Sequence, residues 1–187
     1  MGLASRLDER FFVVAARGPH TLRSGSYGWF HVNWTPEPEI TPDEFEASRL
    51  LLPKFIDQVV EEYGVDADRV YLMGFSQGSI MSLALTLTGA FRPAGVVVMS
   101  GRLVPEAVPI YAAPDALAGI PIFVVHGTTD QTLGIHHGRS INETLSGLPV
   151  RLTYREYPMG HEVSSQSLAD ISAWLTAELD NGATAGA

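Results

Sequence analysis

Four continuous apolar runs, each closed by turn residues, constrain what this chain can fold into. They are FFVVAA at Phe11–Ala16, VYLMG at Val70–Gly74, GVVVMS at Gly95–Ser100 and PIFVVH at Pro121–His126. A strand with one face in water alternates apolar and polar residues, whereas a strand covered on both faces has no polar side to show. These runs are therefore expected in a mainly parallel sheet flanked by helices. A fifth run, Val150–Tyr157, brings the expected sheet to about five strands.

Helical patterns separate the runs, as a parallel sheet requires. Thr41-Pro42-Asp43-Glu44 combines an N-cap Thr, a Pro at the first helical position and a Glu that completes a capping box. The apolar positions Phe45, Leu52, Phe55, Ile56, Val59, Val60 and Tyr63 then follow one face until Gly64. Gln77–Leu87 is apolar almost all round, which suits a helix packed on the sheet. Ser164–Leu179 buries Leu168, Ile171, Trp174, Leu175 and Leu179 along its face. Met1–Arg10 has no signal-peptide core and reads as the last turns of a helix. Residues 1–180 are expected to form a single α/β domain, with 181–187 as a flexible tail.

Composition removes several classes of function. With 12 Lys and Arg against 21 Asp and Glu, the net charge is −9, and no basic run exists. That argues against nucleic acid or an anionic membrane as partner. No stretch of about 18 apolar residues is present to span a membrane. The absence of cysteine excludes disulfides, thiolate metal sites and a cysteine nucleophile, and fits a cytoplasmic location.

Chemistry is expected at the carboxyl ends of the strands. After the second run stands Gly74-Phe75-Ser76-Gln77-Gly78, a G-x-S-x-G pattern between a strand and a helix. A strand turning at once into a helix strains the Ser and brings neighbouring backbone close. The two glycines are expected to leave room for that approach. A hydroxyl needs a base to take its proton, and the base needs an orienting carboxylate. Asp130, in the loop after the fourth run, is the leading acid, with Asp115 as competitor. His161 alone among six histidines follows the fifth run and precedes the last helix. His126 is read as fixing the turn at its strand end. His20, His31, His136 and His137 are read as loop residues, the last two without the further ligands a metal site needs.

GFSQGS, HGTTD and the MGH before the final helix resemble the phospholipase/carboxylesterase family of α/β-hydrolases. FFVVAARGPH and the aromatic YGWF at Tyr27–Phe30 extend the resemblance, which runs from about Leu3 to about Leu179. It implies carboxyl-ester or thioester hydrolysis, with Ser76 as nucleophile, Asp130 as orienting acid and His161 as base. The Gln77 backbone N–H is implied as one oxyanion donor, and neither a metal nor an organic cofactor is required.

The resemblance breaks down at the front. Family members carry a strand ending in an H-G-x-G-like loop that supplies a second oxyanion N–H, and these 187 residues hold no counterpart. Losing one such donor costs about 2.7–4 kcal/mol of transition-state stabilisation. Phe11–Ala16 is expected to pair directly with Val70–Gly74, or a second subunit to cover the gap, which points to a homo-oligomer. The loop Ser24–Trp29 is the candidate source of a replacement donor. Trp29, Phe75, Leu133 and Met159, with Phe30 and Ile135, flank the site and are candidates for an acyl pocket. Only 19 residues lie from Gly101 to Gly119, too few for a large cap, so the site should be open and suit small or accessible esters. The alternatives are a thioesterase or lysophospholipase of the same family, or a hydrolase-like binding protein without a complete oxyanion hole.

Overall fold

The computed structural model describes residues 2–23, 25–33 and 39–184. Its centre is a four-stranded parallel sheet of β5 (Tyr71–Phe75), β6 (Gly95–Met99), β7 (Pro121–Gly127) and β8 (Arg151–Tyr157), in that order. Two short antiparallel pairs precede it: β1 (His20–Arg23) with β2 (Ser26–Gly28), and β3 (Val32–Asn33) with β4 (Glu39–Ile40). The helices are α1 (Pro42–Tyr63), α2 (Gln77–Leu87), α3 (Pro114–Leu117), α4 (Ile135–Ser146) and α5 (Ser165–Thr184).

The continuous apolar runs have the expected cause. Every residue of β6 and β7 is buried. Val96, Val98, Ile122 and Val124 pack with Leu83 and Leu87 of α2 and Ile141 and Leu145 of α4. Their neighbours Val97, Met99, Phe123 and Val125 pack with Ile171 and Leu175 of α5. Side chains alternate between the two faces, so both need apolar partners. On α1, Phe45 and Leu52 pack with Ile80, Met81, Ala84 and Leu85 of α2. Helix α1 ends, as expected, on Gly64 in the left-handed region at φ 61°.

The first apolar run is the main departure. Residues 11–16 form no strand, and among the described residues β5 is a sheet edge. The segment is tied by rings rather than by a hydrogen-bond ladder. Phe11 meets Tyr71 edge to face at 5.5 Å between centroids, and Phe12 leans on Tyr63 at 4.9 Å. At its far end Gly18 lies so close to the Gly28 backbone that a Cβ there would fall under 3.0 Å from it. Phe12, Val13 and Val14 are consequently left exposed. An apolar run records a need for cover, but cover by a strand also requires a neighbour within ladder distance, about 4.8 Å.

Smaller differences are local. Glu44 does not close a capping box. It accepts the His31 backbone N–H at 2.6 Å instead, and that bond holds its carboxyl below the ordinary range. A single 3-10 turn, Ala4–Arg6, stands where the tail of a helix was expected. Helix α5 runs on to Thr184, so only 185–187 of the expected tail lie outside the described residues. His136 and His137 are in the first turn of α4 rather than in a loop, because buried Gly138 lets that helix lie directly on His126. No helix among the described residues is long and apolar enough to cross a membrane.

Candidate active site

Ser76 sits between β5 and α2 at φ 53°, ψ −119°, a region non-glycine residues rarely occupy. The cause is the immediate turn from strand to helix. A Cβ on Gly74 would lie under 3.0 Å from the backbone C and O of Gly78, so the turn is that tight. Gly78 itself has open space where its Cβ would be. Of the two glycines in the pattern, only Gly74 is required for room. The amides of Ser79 and Ile80 both donate to the Ser76 carbonyl at 3.1 Å. The Gln77 N–H belongs to the first turn of α2, where amides have no partner within the helix.

The loops after β7 and β8 bring two further side chains to Ser76. His161 Nε2 is 3.0 Å from Ser76 Oγ, and His161 Nδ1 is 2.8 Å from Asp130 Oδ2. An ionised carboxylate only accepts, so Nδ1 carries the proton and Nε2 is left to accept from the hydroxyl. Asp130 Oδ1 accepts the backbone N–H groups of Thr132 and Leu133, each at 2.9 Å. Burial alone would raise the Asp130 carboxyl, but the His161 ring and these two amides outweigh it and hold it below the ordinary range. The competing acid, Asp115, is exposed on α3. The Phe75 ring lies 4.7 Å from the His161 ring and backs it from the strand side.

Glycine at 127 lets these loops meet. A Cβ there would fall under 3.0 Å from the carbonyl oxygens of Met159 and Gly160, immediately before His161. Thr128 and Thr129 in turn donate their amides to Tyr157 and Met159 at 2.8 and 3.2 Å. The loop holding Asp130 and the loop holding His161 are thus one hydrogen-bonded unit.

The sequence model of the phospholipase/carboxylesterase family matches residues 7–179. The chain belongs to that family. Acyl-protein thioesterase 1 of Debaryomyces hansenii is 31% identical over 79% of this chain and 66% of its own length. Acyl-protein thioesterase 1 of Neurospora crassa is 30% identical over 93% of this chain and 76% of its own length. The chain thus spans about two thirds to three quarters of these relatives. In fold it is similar to a Bacillus cereus carboxylesterase, with a TM-score of 0.83 at 19% identity, over 95% of this chain and 81% of that one. The fold is that of an α/β-hydrolase, and the family is one of carboxylic ester hydrolases.

Within this phospholipase/carboxylesterase member, other expected site residues fare unevenly. Trp29 and Phe75 are half-buried. Leu133, Met159 and Phe30 are 5%, 4% and 0% exposed and offer almost no surface to a substrate. Met159 packs in the α5-side core, and Phe30 meets Phe45 across the α1 side. They flank the site in sequence, but their side chains are buried.

The Gln77 side chain has a role the motif does not reveal. Its Oε1 accepts the Trp29 N–H at 2.8 Å, and its Nε2 donates to the Phe30 carbonyl at 3.0 Å. Trp29 therefore has its amide engaged and is not the replacement oxyanion donor. Ser24, at the other end of that candidate loop, lies outside the described residues. No sequence signal links Gln77 to a loop 48 residues earlier.

His126 is fully buried beneath the site. Its Nε2–H donates to the Leu133 carbonyl at 2.7 Å, bracing the loop whose amides hold Asp130. That fits the sequence reading of a turn-fixing histidine. Burial pushes its ring below the ordinary histidine range, against the opposing pull of the Leu133 carbonyl and Asp130. The unfolded chain therefore takes up this proton first as pH falls. Stability should be complete above about pH 6.5 and decline below it by up to about 1.4 kcal/mol per unit, until the folded ring titrates. Urea unfolding of wild type and His126→Gln at pH values on either side of that point checks this. An unchanged pH slope in the variant would contradict the assignment.

Proposed function

We propose that the chain is a serine carboxylesterase acting on small or accessible carboxyl esters through an acyl-enzyme. The observation that carries this reading is the continuous relay from Ser76 Oγ through both His161 nitrogens to the Asp130 carboxylate, at 3.0 and 2.8 Å. His161 takes the Ser76 proton as Oγ attacks the ester carbonyl, and the C–O bond to the leaving alcohol breaks with that proton delivered to it. Water, deprotonated by the same nitrogen, then attacks the acyl carbonyl and releases the acid and Ser76. The Gln77 N–H donates to the oxyanion in both tetrahedral intermediates. Asp130, braced by two amides, keeps the ring oriented and offsets its charge when protonated.

Thioesters are the second substrate class, favoured by the acyl-protein thioesterase names of two relatives. A fluorophosphonate probe and parallel series of p-nitrophenyl esters, acyl thioesters and lysophospholipids test the reading. Labelling at Ser76 and fastest turnover of short-chain esters is the expected result. No labelling and no turnover above Ser76→Ala favours a binding protein instead.

The working form is, in this proposal, a cytoplasmic homo-oligomer. A second copy would cover the β5 edge and the exposed Phe12, Val13 and Val14, which in isolation leave unpaired backbone and apolar surface in water. Light scattering on a sizing column should give a multiple of 20.2 kDa; a monomer at all concentrations overturns it.

A further inference from the structure

Away from the Ser76 relay, the short strands of the front half gather two histidines and a glutamate. His20 opens β1, His31 precedes β3, and Glu44 lies in the first turn of α1. Each offers one ligand atom, and the three atoms lie within 4.8 Å of one another. His31 Nδ1 is 3.0 Å from Glu44 Oε1, and His20 Nδ1 is 3.8 Å from the same oxygen. The two rings meet edge to face, 5.9 Å between centroids. Among the described residues, His20 Nε2 is buried without a hydrogen-bond partner, and Nδ1 stands beyond hydrogen-bond distance from the carboxylate it faces.

A carboxylate that served only to hold the His31 loop would not need the His20 ring beside it. We propose that His20, His31 and Glu44 bind a divalent transition-metal ion of the zinc type, with water completing its coordination. Two imidazoles and a carboxylate form a zinc donor set, whereas magnesium and calcium prefer oxygen alone. Tetrahedral zinc, with bonds of about 2.0–2.2 Å, spaces its ligand atoms roughly 3.3–3.6 Å apart. The separations of 3.0 and 3.8 Å bracket that spacing.

The carboxylate is already aimed. The His31 backbone N–H donates to Glu44 Oε2, the kind of outer bond that orients a ligating group. The three side chains are 25%, 47% and 26% exposed, so the cluster opens to solvent on one side, where an ion and its water can enter. On binding, His31 stays a neutral imidazole: its proton passes through solvent from Nδ1 to the exposed Nε2, and Nδ1 and the Glu44 carboxylate turn to the metal. The site is separate from the ester chemistry but mechanically linked to it. The loop ending at His31 is the one that Gln77, next to the nucleophile, holds through Trp29 and Phe30. A bound ion would clasp this loop to α1 without touching a reacting atom.

Calorimetric titration of EDTA-treated, tag-free protein with zinc, and the visible spectrum with cobalt, test the proposal directly. One ion per chain is expected, with His20→Asn and Glu44→Gln each weakening binding by about tenfold or more. Gln at 44 can still accept the His31 N–H, and melting in EDTA verifies that both variants fold. Zinc should raise the melting temperature of wild type but not of the variants. Altering the adjacent pair on α4, His136→Asn with His137→Asn, should leave binding unchanged. Binding absent at millimolar ion, retained in His20→Asn, or lost with the α4 pair instead, overturns the proposal.

Discussion

Ser76→Ala should lower kcat/KM for a p-nitrophenyl ester by about 10⁴–10⁶, with the melting temperature within a few degrees of wild type. In the proposed mechanism the hydroxyl is the bond-forming atom and the relay behind it acts as one unit, so the expected loss is large. His161→Ala should cost a similar factor, and the double variant little more, since removing either partner idles the other. Asp130→Asn should fall less far in binding than in turnover. It preserves shape, but its amide can no longer stabilise the charged ring, and the bond at 2.8 Å changes character. Steady-state kinetics with active-site titration, to exclude trace wild-type enzyme, is the measurement. A Ser76→Ala protein retaining a tenth of the activity would refute the assignment of the nucleophile.

The largest effect on stability is expected at Gly74, and its contrast with Gly78 makes the test specific. A methyl at 74 would push against the backbone of Gly78 and Ser79, which cannot rotate away as a flexible side chain can. Relief requires separating β5 from the start of α2, and that disturbs the packing of Ile80, Met81 and Leu83 beneath. Overpacking of this kind against rigid backbone costs about 3 kcal/mol, or roughly 6–12 °C in melting temperature for a chain of this size. At 78 an added methyl meets nothing within 4 Å. Ala there is a better helix former by up to about 1 kcal/mol, so Gly78→Ala should be neutral or stabilising. Denaturant unfolding of both variants decides the matter. Equal effects at the two positions would mean that the tight approach is absent. Gly74→Ala should also lose activity, because the same displacement moves Ser76 away from His161.

Much of the fold is legible in the sequence, because its signals are local. Continuous apolar runs follow from burial of both strand faces, and β6 and β7 meet that condition fully. The limits of α2, and the start and stop of α1 at Pro42 and Gly64, follow from short-range geometry. Ser76, Asp130 and His161 could be singled out because each follows a strand, and a parallel sheet brings the ends of its strands to one rim.

What remained hidden depends on contacts between distant segments. FFVVAA looks like a strand in sequence, yet its rings found Tyr71 and Tyr63 while its backbone found no ladder partner. Glu44 fits a capping box by spacing, but its carboxylate accepts the His31 amide, and the Thr41 N–H it would have met donates to the His31 carbonyl instead. Leu133 and Met159 flank the relay in sequence and yet face inward, because side-chain direction at a loop is set by the core it must cover. The parallel sheet, apart from its expected first strand, and the choice of Ser76, Asp130 and His161 as candidates follow from local patterning and chain order. The open β5 edge, the Gln77 clamp and the meeting of His20, His31 and Glu44 come from the packing of the folded chain. Each of these joins segments whose separation along the chain carries no record of their distance in space.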